Sequence, residues 1–215
     1  MKIGVLGTGM LGETIASKLV ELGHDVCMGS RSATNEKGAA WVSRAGARAR
    51  SGTFADAAAF GEIVFNCTNG EATLEALRAA GTANLDGKVV VDVANRLDFS
   101  SGAPLSLARD GDSLAEEVQR TFPAARVVKA LNTMNCRIMV NPGLVPGDHD
   151  VFLSGNDAAA KAKVRGLLRE FGWVDRNILD LGDITTARGA ESIMPLWLKV
   201  WGALGNVPFN LKWVH

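Results

Sequence analysis

The stretch Lys2-Ile3-Gly4-Val5-Leu6-Gly7-Thr8-Gly9-Met10-Leu11-Gly12 decides the fold. A short apolar strand, Lys2 to Leu6, turns through glycines into a helix expected from Met10 to Leu22, with Ile15, Leu19 and Leu22 on one face. Gly7 permits the tight turn, Gly9 removes a side chain that would block a phosphate, and Gly12 lets helix and strand pack closely. The unbonded N–H groups at the helix start attract an anion. Gly7, Thr8, Gly9, Met10, Leu11 and Gly12 therefore form the expected pyrophosphate cradle, supported by a second strand at the required distance, Asp25 to Ser30.

The end of that second strand selects the nucleotide. An NAD site carries a carboxylate there, to bind the adenosine ribose hydroxyls. This chain reads Met28-Gly29-Ser30-Arg31-Ser32 instead. A carboxylate would repel a ribose phosphate, whereas Arg31 can clamp it through charge-assisted hydrogen bonds. The expected cofactor is NADP(H), held by Ser30, Arg31 and Ser32, with Lys37, or the nearby Thr34 and Asn35, completing the phosphate pocket.

Composition narrows the remaining classes. Lys plus Arg (23) equals Asp plus Glu (23), so there is no basic footprint for nucleic acid and no polybasic membrane patch. The amino terminus enters a strand directly, unlike a signal peptide. The most apolar stretch, Ile193 to Leu204, is too short to span a bilayer and carries Lys199. Cys27, Cys67 and Cys136 are widely spaced and odd in number, which fits a reduced cytoplasm without a disulfide framework. No metal-ligand spacing is present.

Apolar runs alternate with helical patterns along the chain. Further strands are expected at Ala47 to Ser51, Ile63 to Asn66, Lys88 to Val93 and Arg126 to Ala130. Helices are expected at Asn35 to Ala45, Glu71 to Ala80 and Ser113 to Thr121, with a short one capped by Thr53 and Asp56. The segment Leu97 to Gly111 reads as looser. Continuous apolar strands joined by helices imply a Rossmann-type, doubly wound parallel sheet covered on both faces, an α/β fold spanning residues 1–140. Pro-Gly loops then introduce a small C-terminal α/β cap, residues 141–215. Its elements are a strand from Asp150, a helix from Asp157 to Phe171, a strand near Asn177 and a long helix from Ile184 to Leu204 kinked near Pro195.

Ligands of such sheets bind beyond the carboxyl ends of the strands. Those ends read Asn66-Cys67-Thr68-Asn69-Gly70, Asn95-Arg96 and Asn132-Thr133-Met134-Asn135. Cys67, Thr68, Asn69, Asn95, Asn132, Thr133 and Met134 are expected to meet one crevice, with neutral groups suited to ribose and carboxamide. Asn also favours turns after strands, so each amide has a structural alternative. The chain has no Tyr. His24 lies at the wrong end of the sheet, His149 reads as a surface residue and His215 is terminal. Lys129 reads equally as a crevice residue or a structural one, and no catalytic side chain is assigned. A reaction that needs little acid–base equipment is direct hydride transfer between two bound redox cofactors.

The combination of Gly7-Thr8-Gly9-Met10-Leu11-Gly12, Gly29-Ser30-Arg31, Lys129-Ala130-Leu131-Asn132-Thr133 and Ala190-Glu191-Ser192 with Leu196 to Gly205 resembles the deazaflavin-dependent NADP oxidoreductases over essentially the whole chain. The resemblance implies hydride exchange between NADPH and a 5-deazaflavin coenzyme (F-420). It implies that Thr8 to Leu11 hold the pyrophosphate, that Ser30 and Arg31 hold the ribose phosphate, and that Asn132 and Thr133 help seat the deazaflavin. Archaeal members carry prolines where this chain reads Thr68-Asn69-Gly70 and Asn132-Thr133-Met134-Asn135. Alternatives left open are an NADPH-dependent reductase of flavin, metal or a small organic substrate using Lys129 or water as proton source, and a non-catalytic NADPH-sensing module. The helix Ile193 to Leu204 is apolar nearly all round and needs cover, from the sheet of its own chain or from a second copy in a homodimer.

Overall fold

The computed structural model describes residues 1–98, 105–106, 113–205 and 207–214. The chain runs β1 (Lys2–Leu6), α1 (Met10–Glu21), β2 (Asp25–Ser30), α2 (Glu36–Ala45), β3 (Ala49–Thr53), α3 (Phe54–Phe60) and β4 (Ile63–Asn66). It continues through α4 (Thr73–Ala80), α5 (Thr82–Leu85), β5 (Val89–Asp92), β6 (Leu97–Asp98), β7 (Leu105–Ser106), α6 (Leu114–Thr121) and β8 (Arg126–Ala130). It closes with α7 (Cys136–Val140), β9 (Val151–Ser154), α8 (Ala158–Glu170), β10 (Ile178–Gly182), α9 (Ala187–Ser192) and α10 (Met194–Leu204). Of the loose segment expected from Leu97 to Gly111, β6 and β7 pair antiparallel, and the rest lies outside the described residues, as does His215.

Eight strands form one sheet in the order β10-β9-β8-β5-β4-β1-β2-β3. From β3 to β8 every pair is parallel, and the order reverses beside β1, so the crevice between β1 and β4 is the switch point. The apolar strands alternate between two cores. Val5, Phe65, Val91 and Val128 belong to one, and Leu6, Val64, Val90 and Val127 to the other. This period of two is what a sheet buried on both faces requires. The C-terminal α/β segment enters through the sheet itself: β9 lies antiparallel to β8, and β10 parallel to β9.

Local chemistry sets the boundaries. The Thr53–Asp56 capping box forms as expected. β3 starts later than the sequence suggests because Gly46, at φ 89°, ends α2 and accepts the Ala49 amide in a turn. The expected long terminal helix divides at Ile193 into α9 and α10. Pro195 sits in the first turn of α10, where its missing N–H costs nothing, and its ring prevents a continuous helix from the preceding turn.

His149 is a correction. It is buried (5% exposed) rather than on the surface. Its ring packs edge-on against Trp173 at 5.1 Å, and its Nε2 lies 2.9 Å from the Pro142 carbonyl. The C-terminal tail roofs it, because Asn210 reaches its Nδ1 and Leu211 accepts the Asp150 amide. Its cover comes from residues sixty positions away, a contact no local pattern reports.

Candidate functional site: a glycine turn, a polar crevice and an aromatic groove

The glycine turn has the stereochemistry a dinucleotide cradle needs. Gly7 has φ 117°, and a Cβ on it would lie 2.7 Å from the Cys67 carbonyl oxygen. A Cβ on Gly12 would lie 2.1 Å from the Gly7 oxygen, so helix and turn pack backbone on backbone. At Gly9 a Cβ would meet nothing within 4 Å. Gly9 is also the N-cap of α1 and supplies no side-chain acceptor, unlike Asn35, Thr53 and Ser113 at the caps of α2, α3 and α6. The first-turn amides of α1 thus face open space without a side-chain partner, which fits a pyrophosphate.

Thr8, Gly9, Met10 and Lys37 line one groove, together with Arg44 and Arg137. At the tip of β2, Ser30 is buried, and its hydroxyl donates to the Ser32 carbonyl at 2.6 Å. Ser32 and Thr34 share a hydroxyl bond of 2.9 Å, and Asn35 accepts the Gly38 amide. These bonds occupy Thr34 and Asn35. Arg31 and Lys37 remain exposed, with no hydrogen bond or ion pair among the described residues. Two unspent cations beside a neutral strand end suit a phosphate.

The structure brings six of the expected residues to one crevice of about 260 Å³: Leu11, Thr68, Asn69, Asn95, Asn132 and Met134. Cys67 and Thr133 are buried beside it and are not among its lining residues. Burial pushes the Cys67 thiol far up, with Asp92 adding to the effect, so this sulfur packs behind the crevice as a neutral thiol. The amides hold the walls as well as facing the crevice. Asn95 donates to the Asn132 carbonyl at 2.7 Å, and Asn132 donates back to Asn95 Oδ1 at 3.0 Å and to Ala190 at 3.2 Å. Asn69 accepts the Glu71 amide at 3.0 Å. Among the described residues only Leu131 is a non-glycine with positive φ (66°), and this turn aims Asn132 across to Asn95.

Beneath the crevice lies a buried charge network outside the expected site. Lys129 (1% exposed) stands opposite Asp92 (0%) on neighbouring strands. Its ammonium donates to Asp92 at 2.8 Å, pairs with Glu191 at 2.8 Å, and donates to the Ala94 carbonyl. Burial pushes the ammonium down, but Asp92 and Glu191 together outweigh it and hold it above its ordinary value. All three of its protons are spent, so Lys129 is a strut and offers no proton to the crevice. Asp92 also accepts from Asn66 at 2.7 Å, and Asn66 accepts the Thr68 hydroxyl at 2.7 Å, which ties the strut to the crevice wall. The signal for this network was present as charged residues inside otherwise apolar strands.

Trp197 lines both the crevice and a second, apolar groove. Its ring stacks on Phe209 at 5.2 Å and on Trp201 at 6.4 Å. The glycine turn, the crevice and this groove therefore form one continuous path along the carboxyl ends of the strands.

The family described as NADP oxidoreductase, coenzyme F420-dependent, matches residues 2–96. A crystal structure from Arthrobacter sp. FB24, described as a candidate F420-dependent NADP reductase, is 50% identical over the whole of both chains, with a TM-score of 0.92. The chain belongs to the F420-dependent NADP oxidoreductase family. It thus belongs to a family described as NADP oxidoreductases and carries a nucleotide-binding Rossmann-type fold. Metalloreductase STEAP3 from Rattus norvegicus is 30% identical over 93% of this chain, which spans 38% of that protein. An imine reductase from Myxococcus stipitatus in complex with NADP+ shares the fold at 18% identity, with a TM-score of 0.67 over 95% of this chain and 62% of that one. Among the described residues no helix is long and apolar enough to cross a membrane, and no group of His, Cys, Asp and Glu is placed to hold a metal ion.

Proposed function

We propose that this protein transfers a hydride between NADPH and a deazaflavin-type coenzyme bound in the crevice and the aromatic groove. The carrying observation is the crevice itself: neutral amides and hydroxyls, an aromatic wall continuing from it, and no free acid or base among the described residues that line it. Lys129 has spent its protons, His24 is bonded to Glu170 at 2.8 Å, and His149 lies under the tail. When bound, NADPH would supply a hydride, two electrons with one hydrogen, and the net reduction of the acceptor would take up one further proton from bulk solvent after the transfer. The protein's share is alignment of two planar groups and exclusion of water. Gly7 to Gly12 hold the pyrophosphate, Arg31 and Lys37 with Ser30 and Ser32 hold the ribose phosphate, and Thr68, Asn69, Asn95, Asn132 and Met134 flank the nicotinamide. Cys67 and Thr133 support those walls from behind.

Mixing the protein with NADPH and oxidised deazaflavin is expected to give coupled loss of both absorbances. Consumption of NADPH with a flavin or a ferric chelate but not with deazaflavin would replace this acceptor. Binding of NADPH with no consumption across all three would make the chain a sensing module.

Helix α10 supports a homodimer in the same reading. Only Met194 of its residues is buried, while Leu196 (59%), Trp201 (41%) and Leu204 (50%) are exposed. The chain's own sheet does not cover this face, so a second copy does. The solution mass at micromolar concentration is expected to be twice that of the chain, and Leu196→Glu with Leu204→Glu is expected to halve it. A wild-type monomer would end the idea.

A further inference from the structure

The groove beyond Trp197 is mainly apolar, and Asn135 and Arg137 are its polar residues among the described ones. Ile138, Leu144, Trp197, Trp201 and Phe209 make its walls, and Arg137 is its single charged residue among the described ones. Arg137 lies in the first turn of α7, exposed, with its backbone amide taken by Asn135 and its guanidinium free of any hydrogen bond or ion pair among the described residues. It stands where the groove meets the rim of the glycine turn, since Arg137 and Met10 line both that groove and the one bearing Lys37. A flat aromatic wall suits a planar ring. A guanidinium at the edge of such a wall binds an anion more strongly than a neutral acceptor, and repels a cation. Among the described residues no carboxylate, imidazole or thiol lines the groove, so these offer a ferric ion no ligand set.

We propose that Arg137 is the anchor for an anionic group carried by the acceptor, so that the protein selects planar heteroaromatic redox coenzymes with a negatively charged tail. This rests on the reading of the groove as the acceptor site. The pyrophosphate already has the α1 amides, and the ribose phosphate has Arg31 and Lys37, which leaves Arg137 for the second ligand. A guanidinium to an anion is a charge-assisted, directional contact, and it weakens with salt at an exposed site.

FMN and riboflavin separate the two parts of this recognition, because they share one ring and differ by a terminal phosphate. Their affinities are measured by equilibrium dialysis against the intact protein with saturating NADP+ present. The wild type is expected to bind FMN more tightly than riboflavin, and the preference is expected to shrink as salt rises. Arg137→Gln is expected to weaken FMN roughly tenfold, the value of one or two charge-assisted bonds. Riboflavin and NADP+ affinities are expected to hold. The proposal is overturned if the wild type shows no preference for FMN, if both flavins weaken together, or if NADP+ affinity falls instead, which would assign Arg137 to the dinucleotide. Hydride transfer from NADPH to bound FMN is followed separately. Arg137-dependent FMN binding in a protein that reduces neither FMN nor deazaflavin with NADPH supports the anchor while breaking the hydride-transfer reading.

Discussion

Replacing Lys129 by Met is expected to cost about 3–5 kcal/mol of unfolding free energy, read as a shift in the urea midpoint, because it leaves the buried Asp92 carboxylate without its cation. Asp92 is fully buried and would keep only the Asn66 and Ala94 amides as donors. Met fills much of the same space, so the loss would be electrostatic rather than a cavity. Adding Asp92→Asn to Lys129→Met is expected to recover part of the loss, since it removes the orphaned charge. A single variant within about 0.5 kcal/mol of wild type would show that the network contributes nothing net. The pH dependence has a definite sign. A lysine held above its ordinary value in the folded protein contributes fully below its unfolded pKa of about 10.4, and loses that contribution as pH rises through the folded value. The stability gap between wild type and Lys129→Met should therefore be flat through neutrality and close only in strong alkali.

Arg31→Ala is expected to weaken NADPH binding by roughly ten- to a hundredfold, the value of one or two hydrogen bonds to a charged group. NADH binding is expected to hardly change, because NADH lacks the phosphate. Arg31 has no structural partner among the described residues, so its removal should not disturb the fold. Titration of both nucleotides against wild type and variant checks this. Equal losses would discard the phosphate assignment, and an unchanged NADPH affinity would move it to Lys37 alone.

Several elements were legible in the chain before any coordinates. The strands β1, β2, β4 and β8, the Thr53–Asp56 box and the Pro195 break follow from local chemistry: glycine freedom, capping geometry and a missing N–H. So did the gathering of Thr68, Asn69, Asn95, Asn132 and Met134, because parallel strands bring their carboxyl ends to one side. The internal commitments of those side chains were not legible. Asn132 reaches Asn95, 37 positions away, and Ala190, 58 positions away, and Lys129 reaches Glu191. His149 was misread for the same reason.

Sequence alone determined the alternating α/β order, the glycine turn between β1 and α1 and the choice of a guanidinium over a carboxylate at the end of β2. These depend on backbone geometry and charge at single positions, which neighbours in the chain dictate. Tertiary structure alone decided that Lys129 is a spent strut, that His149 is roofed by the tail, and that Trp197 joins a polar crevice to an aromatic groove bearing Arg137. Burial and the pairing of charges are properties of what surrounds a side chain, and the surroundings come from segments far apart in the chain.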